Sequence, residues 1–167
     1  MYDIEDGRFP ELVAAAGAYC DLIEHLDTLS PEALLAGVFR LLPQIHAAVV
    51  SMPSARSAGP LHPLVDLETR FALYCRLHEK LGESDAYWME YDRSTPNGSL
   101  ADDLTDIYFD LRRGLQLLED GNVVACARAA LAWSRSYELH WGEHLVNAER
   151  HLFHLMRSCR QGCRPRA

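Results

Sequence analysis

The chain has no apolar run approaching the roughly 20 residues that cross a bilayer. Its start, MYDIEDGRFPEL, carries acids where an export signal would carry a basic region and a hydrophobic stretch. Both absences point to a cytoplasmic protein with no membrane association. Cations are scarce as well: 16 Lys and Arg against 24 Asp and Glu leave a formal net charge of −8. That balance argues against nucleic acid, whose affinity for proteins comes mostly from cations neutralising phosphates. The cysteines, Cys20, Cys75, Cys126, Cys159 and Cys163, are odd in number. The first three stand singly among apolar residues, the pattern of reduced, buried thiols rather than of a disulfide framework. No Gly-rich phosphate loop, nucleophile elbow, CxxC pair or internal repeat occurs.

Alternating apolar and polar residues are missing too, so no strand is expected. What is present is helical periodicity throughout 167 residues, enough for one domain with a single core. Helices are predicted over 10–26, over 31–52 behind the N-cap Ser30 with a kink at Pro43, and over 64–81 with Leu67, Phe71, Tyr74, Leu77 and Leu81 inward. A short helix over 84–91 carries Tyr87, Trp88 and Tyr91, and long helices follow over 100–119 and 123–156. The intervening DGN is short enough to make the fourth and fifth long helices an antiparallel hairpin. The prediction is all-α: one helical bundle of five to six helices spanning 1–167, with 157–167 as a flexible basic tail.

Two stretches carry the polar chemistry. SLADDLTDIYFDLRRG, residues 99–114, opens the helix over 100–119, which sets Leu100, Leu104, Ile107, Leu111, Leu115 and Leu118 on one stripe, with Asp103, Asp106 and Asp110 in a row beside it. Asp102 fits a capping box with Ser99, and Asp110 can pair with Arg113 three residues on. SYELHWGEHL, residues 136–145, continues a helix whose inward side is Cys126, Ala130, Trp133, Tyr137, Trp141, Ala148, Leu152 and Leu155, and His140, His144 and His151 share that side. Counting back from the DGN turn, position i of the fourth helix lies near 242 minus i on the fifth. Asp103 then approaches His140, and Asp106 approaches Ser136 and Tyr137.

Aspartates and histidines meeting at a core edge have two physical outcomes. One is a metal site in which the H-x-x-x-H pair, His140 and His144, combines with Asp103 and Asp106 to hold a divalent ion. The other is a metal-free network, in which each carboxylate orients an imidazole and the group fixes register or lines a pocket. The zincin pattern H-E-x-x-H is missing, since Trp141 follows His140. A second array, His151, His154, Cys159 and Cys163, is a poorer zinc candidate, because the two histidines differ by about 60° around the helix. The arginines beside Cys159 and Cys163 instead make those thiols candidates for reactivity.

Residues 99–114 and the HWGEH that follows resemble a bacterial family catalogued as domain of unknown function 5063. The resemblance rests on Ser99, Leu100, Asp102, Asp103, Leu104, Asp106, Ile107, Tyr108, Asp110, Leu111 and Gly114, then His140, Trp141, Gly142 and His144, with DAYWMEYD around Trp88 as an acidic-aromatic segment. It implies an all-helical bacterial cytoplasmic protein whose characteristic polar residues are these aspartates and histidines, and it brings no activity or cofactor. The expected ligand-binding set is Asp103, Asp106, His140 and His144 with Trp141, Trp88 and Tyr108, and Tyr91 extends the aromatic wall. The leading expectation is a non-enzymatic binding or interaction module for a protein or small-molecule partner. The alternative is a divalent-metal-dependent hydrolase of phosphorylated or nucleotide substrates, in which Asp103, Asp106 and Asp110 would ligate the ion. The small-residue run Ala14, Ala15, Ala16, Gly17 and Ala18 also permits close helix approach in a homodimer.

Overall fold

The computed structural model describes residues 8–52, 66–89 and 97–162, with side chains of the last helix described through residue 158. Helix α1 (Arg8–Glu24) leads through a 3-10 turn, Leu26–Thr28, to α2 (Pro31–Val50). Ser30 Oγ accepts the Ala33 N–H at 3.1 Å, which starts α2 where Pro31 fits without loss of a hydrogen bond. The helix is continuous through Pro43. By length and apolar composition α2 also qualifies as a membrane-crossing helix, which corrects the expectation that no segment does. In the bundle it is a core helix instead, packed against α1 and α6 with Leu34, Val38, Leu42 and Ile45 fully buried.

Helix α3 (Leu67–Leu81) opens at Asp66 and buries Leu73, Leu77 and Leu81. Its phase differs from the prediction: Leu67 and Phe71 are 73% and 65% exposed. The reason is electrostatic, because the row that faces α4 includes Arg70, which two aspartates of α4 bind. The predicted helix over 84–91 is corrected as well. A 3-10 turn, Gly82–Ser84, gives way to β1 (Ala86–Tyr87), which pairs antiparallel with β2 (Gly98–Ser99), Ala86 opposite Ser99. Tyr91 lies outside the described residues.

Helix α4 (Leu100–Leu118) and α5 (Val123–Ser136) form the expected antiparallel hairpin. Ser99 Oγ accepts the Asp102 N–H at 3.2 Å, and the buried Asp85 adds a cap by accepting the Ala101 N–H at 2.6 Å. Near the turn, shape sets the fit. Trp133 lies in the notch left by Gly114, where a Cβ would stand 2.0 Å from the indole ring.

The predicted fifth helix is not uniform. Between α5 and α6 (Gly142–Gly162) one π-helical turn, Tyr137–Trp141, closes with the Gly142 N–H on the Tyr137 carbonyl. Among the side chains buried along this helix, Ala129, Trp133, Ser136, Trp141, Leu145, Ala148 and Leu152 form a stripe whose spacing of three and four is broken by one step of five. That step is the extra residue of the π turn. Without it the stripe would continue onto His140 and His144, as the uniform projection assumed. With it, the histidines rotate to the boundary beside the acids of α4. Gly142 permits the turn, because a Cβ there would lie 2.5 Å from the Tyr137 carbonyl oxygen. Helix α6 runs on through Gly162, into the segment expected as a basic tail. The side chains of Cys159 and Cys163 lie outside the described residues.

Candidate functional site

The boundary between α4 and the π turn gathers Asp103, Asp106, Asp110, His140 and His144, with Arg70 of α3 and Tyr87 of β1. His144 Nδ1 donates to Asp103 Oδ1 at 2.9 Å, and His140 Nδ1 donates to Asp110 Oδ2 at 2.8 Å. An ionised carboxylate accepts and never donates, so in each pair the proton sits on Nδ1. Each Nε2 then faces Asp106: His144 at 3.3 Å from Oδ2 and His140 at 3.9 Å from Oδ1. One ligand atom from each of Asp106, His140 and His144 lies within 4.8 Å of the others.

The four aspartates of α4 divide the work. Asp106, 5% exposed, accepts a forked pair of bonds from Arg70, Nε at 2.9 Å and a terminal nitrogen at 2.5 Å, while Asp102 shares that nitrogen at 3.1 Å. Asp103, 4% exposed, spends one oxygen on His144 and the other on the Tyr87 hydroxyl at 2.7 Å. It orients an imidazole rather than converging with Asp106. Asp110, assigned from sequence to Arg113, belongs to the cluster through His140.

Charge and burial set the protonation. The hydrogen bond to Asp103 raises the His144 pKa above its ordinary 6.5, against desolvation, with the field of Asp106 adding to the rise. Burial raises the Asp103 carboxyl, opposed by its bonds from His144 and Tyr87. Both directions retain a proton at the pair. Burial also raises the Tyr87 hydroxyl, which therefore stays a donor. His151 stands behind Tyr87, its ring stacked at 4.8 Å and its Nε2 donating to the Ser84 carbonyl at 2.7 Å, and desolvation lowers its pKa.

The aromatic wall is not assembled as expected. Trp141 is fully buried and donates to Ser136 Oγ at 2.9 Å, which makes it part of the core. Trp88 is half exposed and its carbonyl accepts from Arg150, whereas its neighbour Tyr87 is the aromatic that enters the cluster. The Tyr108 hydroxyl donates to Glu24 of α1 at 3.0 Å. Sequence reasoning missed Arg70, Tyr87 and Asp85. Arg70 sits in an ordinary polar position of DLETRF, and no local pattern marks it as the partner of acids 32 and 36 residues away.

The register explains why the pairings differ from those expected. Trp133 Nε1 reaches the carbonyls of Asp110 and Leu111, both at 3.2 Å, within two positions of the expected 242 minus i. His144 instead meets Asp103 and Asp106, five and eight positions off that line. The π turn adds a residue, and helical side chains lean toward the N-terminus of their own helix, which carries the imidazoles toward the later aspartates.

Fold and site together define an all-α bundle with a histidine–aspartate cluster beside its helical hairpin. The chain belongs to the family described as a domain of unknown function, DUF5063, whose model matches residues 4–158. The crystal structure of protein BF1032 from Bacteroides fragilis has the same fold, with a TM-score of 0.76 at 23% identity over 91% of this chain and 94% of that one. No curated protein matches the chain significantly.

Proposed function

We propose that the protein is a divalent-metal-binding helical module, with His140 Nε2, His144 Nε2 and Asp106 as its ligands. One observation carries this reading: both imidazoles are fixed through Nδ1 by carboxylates, and both Nε2 atoms face a third carboxylate. Orienting pairs of that kind are what surrounds metal-bound histidine, where the outer carboxylate sets the tautomer and raises ligand basicity. Two imidazole lone pairs and a carboxylate aimed at one another favour a cation, and a proton on His144 serves that role when no ion is present. With metal–nitrogen bonds of about 2.0–2.1 Å, tetrahedral ligands stand about 3.3 Å apart, so inward movements of an ångström or so complete the site.

The donor set indicates the ion. Two imidazoles and one carboxylate suit zinc, iron, nickel or copper better than magnesium, which prefers oxygen. This weakens the hydrolase reading in which Asp103, Asp106 and Asp110 hold the metal, since Asp103 and Asp110 are committed to histidines. Three protein ligands leave coordination positions open for water or another small ligand. The expectation of a pocket walled by Trp88 and Trp141 draws less support, because Trp141 is core and Trp88 turns outward.

A specific observation favours a second reading. The Arg70 fork already neutralises Asp106, so the cluster also works as a metal-free ionic lock between α3, α4 and α6. Titration of untagged protein with zinc separates the two. The metal reading expects one ion per chain, lost in His140→Ala and in His144→Ala and weakened about 10–100-fold by Asp103→Asn. Binding that is absent, or unchanged by both histidine substitutions, sinks the metal reading and leaves the lock.

A further inference from the structure

Helices α2 and α6 leave between them a groove of about 480 Å³, within the range of roughly 300–1,000 Å³ common to small-molecule sites. Phe39, Leu42, Pro43, Ala47 and Leu152 make its apolar walls, and His46 and Glu149 supply its polar end. Glu149 Oε2 accepts from His46 Nδ1 at 2.9 Å, and His46 Nε2 lies 3.0 Å from the Tyr137 hydroxyl. With Nδ1–H given to Glu149, Nε2 is an acceptor and Tyr137 is its donor. The polar hydrogens of the chain Tyr137–His46–Glu149 are thereby consumed within it, and the polar end offers a ligand lone pairs on the Glu149 carboxylate.

An apolar trough whose polar end accepts through a carboxylate complements one kind of small molecule. We infer that this groove binds a small apolar amine in its protonated form, the ammonium donating to Glu149 while the hydrocarbon lies along Phe39, Leu42 and Leu152. A carboxylate of the same shape meets repulsion from Glu149. A neutral alcohol brings a donor but no charge. The net charge of −8 adds long-range attraction for a cation.

A matched set tests the inference: cyclohexylmethylamine, cyclohexylmethanol and cyclohexanecarboxylate, titrated into the full chain and followed by backbone amide NMR. The expected result is that the amine shifts amides on the groove faces of α2 and α6 and binds about tenfold tighter than the alcohol or the acid. Glu149→Gln should erase the preference for amine over alcohol, and Ala47→Trp should obstruct the whole set by filling the trough. Amine shifts that fall elsewhere, an alcohol that binds as well as the amine, or a preference that survives Glu149→Gln each overturns the proposal. If Glu149→Gln does not fold, Ala47→Trp decides, since undiminished amine binding there places the site outside the groove.

Discussion

The two ends of the seam between α4 and the helix that returns along it are built on opposite principles. Near the DGN turn the seam is dry and fixed by shape, with Trp133 filling the notch at Gly114 and its indole N–H shared between two carbonyls. Past the π turn it is held by charge, with three aspartates, two histidines and Arg70 exchanging hydrogen bonds. Shape tolerates few changes and is indifferent to pH. Charge costs desolvation, gives less net stability per group, and leaves atoms able to hold a proton or an ion. The stability of the hairpin therefore concentrates at one end and its chemistry at the other.

The largest expected effect falls on the dry end. Trp133→Ala should cost about 3–5 kcal/mol, the range for truncating a fully buried indole, read as a lowered urea midpoint. At the polar end Asp106→Asn should cost less, about 2–3 kcal/mol, because Arg70 is one-third exposed and recovers water when its partner loses charge. A cost for Asp106→Asn that exceeds the Trp133→Ala cost would reverse the comparison.

The pH response should belong to the polar end alone. The folded pKa of His144 lies above its ordinary 6.5, so its stabilisation is fully present below about pH 6.5 and is lost as pH rises through the folded value. The stability difference between wild type and His144→Gln should shrink over that rise. The difference between wild type and Trp133→Ala should stay flat. A His144→Gln difference that stays flat too would mean that Asp103 and His144 do not act as a pair. The smallest effect is expected at the start of α4, where Ser99→Ala should cost about 0.5–1 kcal/mol, because Asp85 still caps the Ala101 N–H.

How much of this could be read from sequence depends on the distance over which each feature is decided. Helices α1, α2, α4 and the hairpin follow from apolar spacing, caps and a short turn, all local, and they form as expected. The polar seam was legible as two facing rows, because Asp103, Asp106, His140 and His144 do gather at one boundary. Their pairing was not. A uniform helical projection has no means of placing a π turn, and one inserted residue is enough to exchange the partners of both histidines. Arg70 and Tyr87 enter from α3 and β1, whose positions depend on tertiary packing. Leu67 and Phe71 mislead for the same reason, since an apolar row on α3 yields to the row that carries the ion pair.

The π turn has one more consequence. Each residue advances a helix by about 100°, and the wide turn absorbs the surplus one, so α6 resumes with its buried stripe on the face where α5 left it. Excising one residue from Tyr137–Trp141 would turn the step of five into a step of four and leave a regular helix. Leu145, Ala148 and Leu152 would stay in the interior, and only the bulge that carries His140 would be lost. Among related sequences, a gap of a single residue at this spot should therefore leave the apolar pattern downstream unchanged.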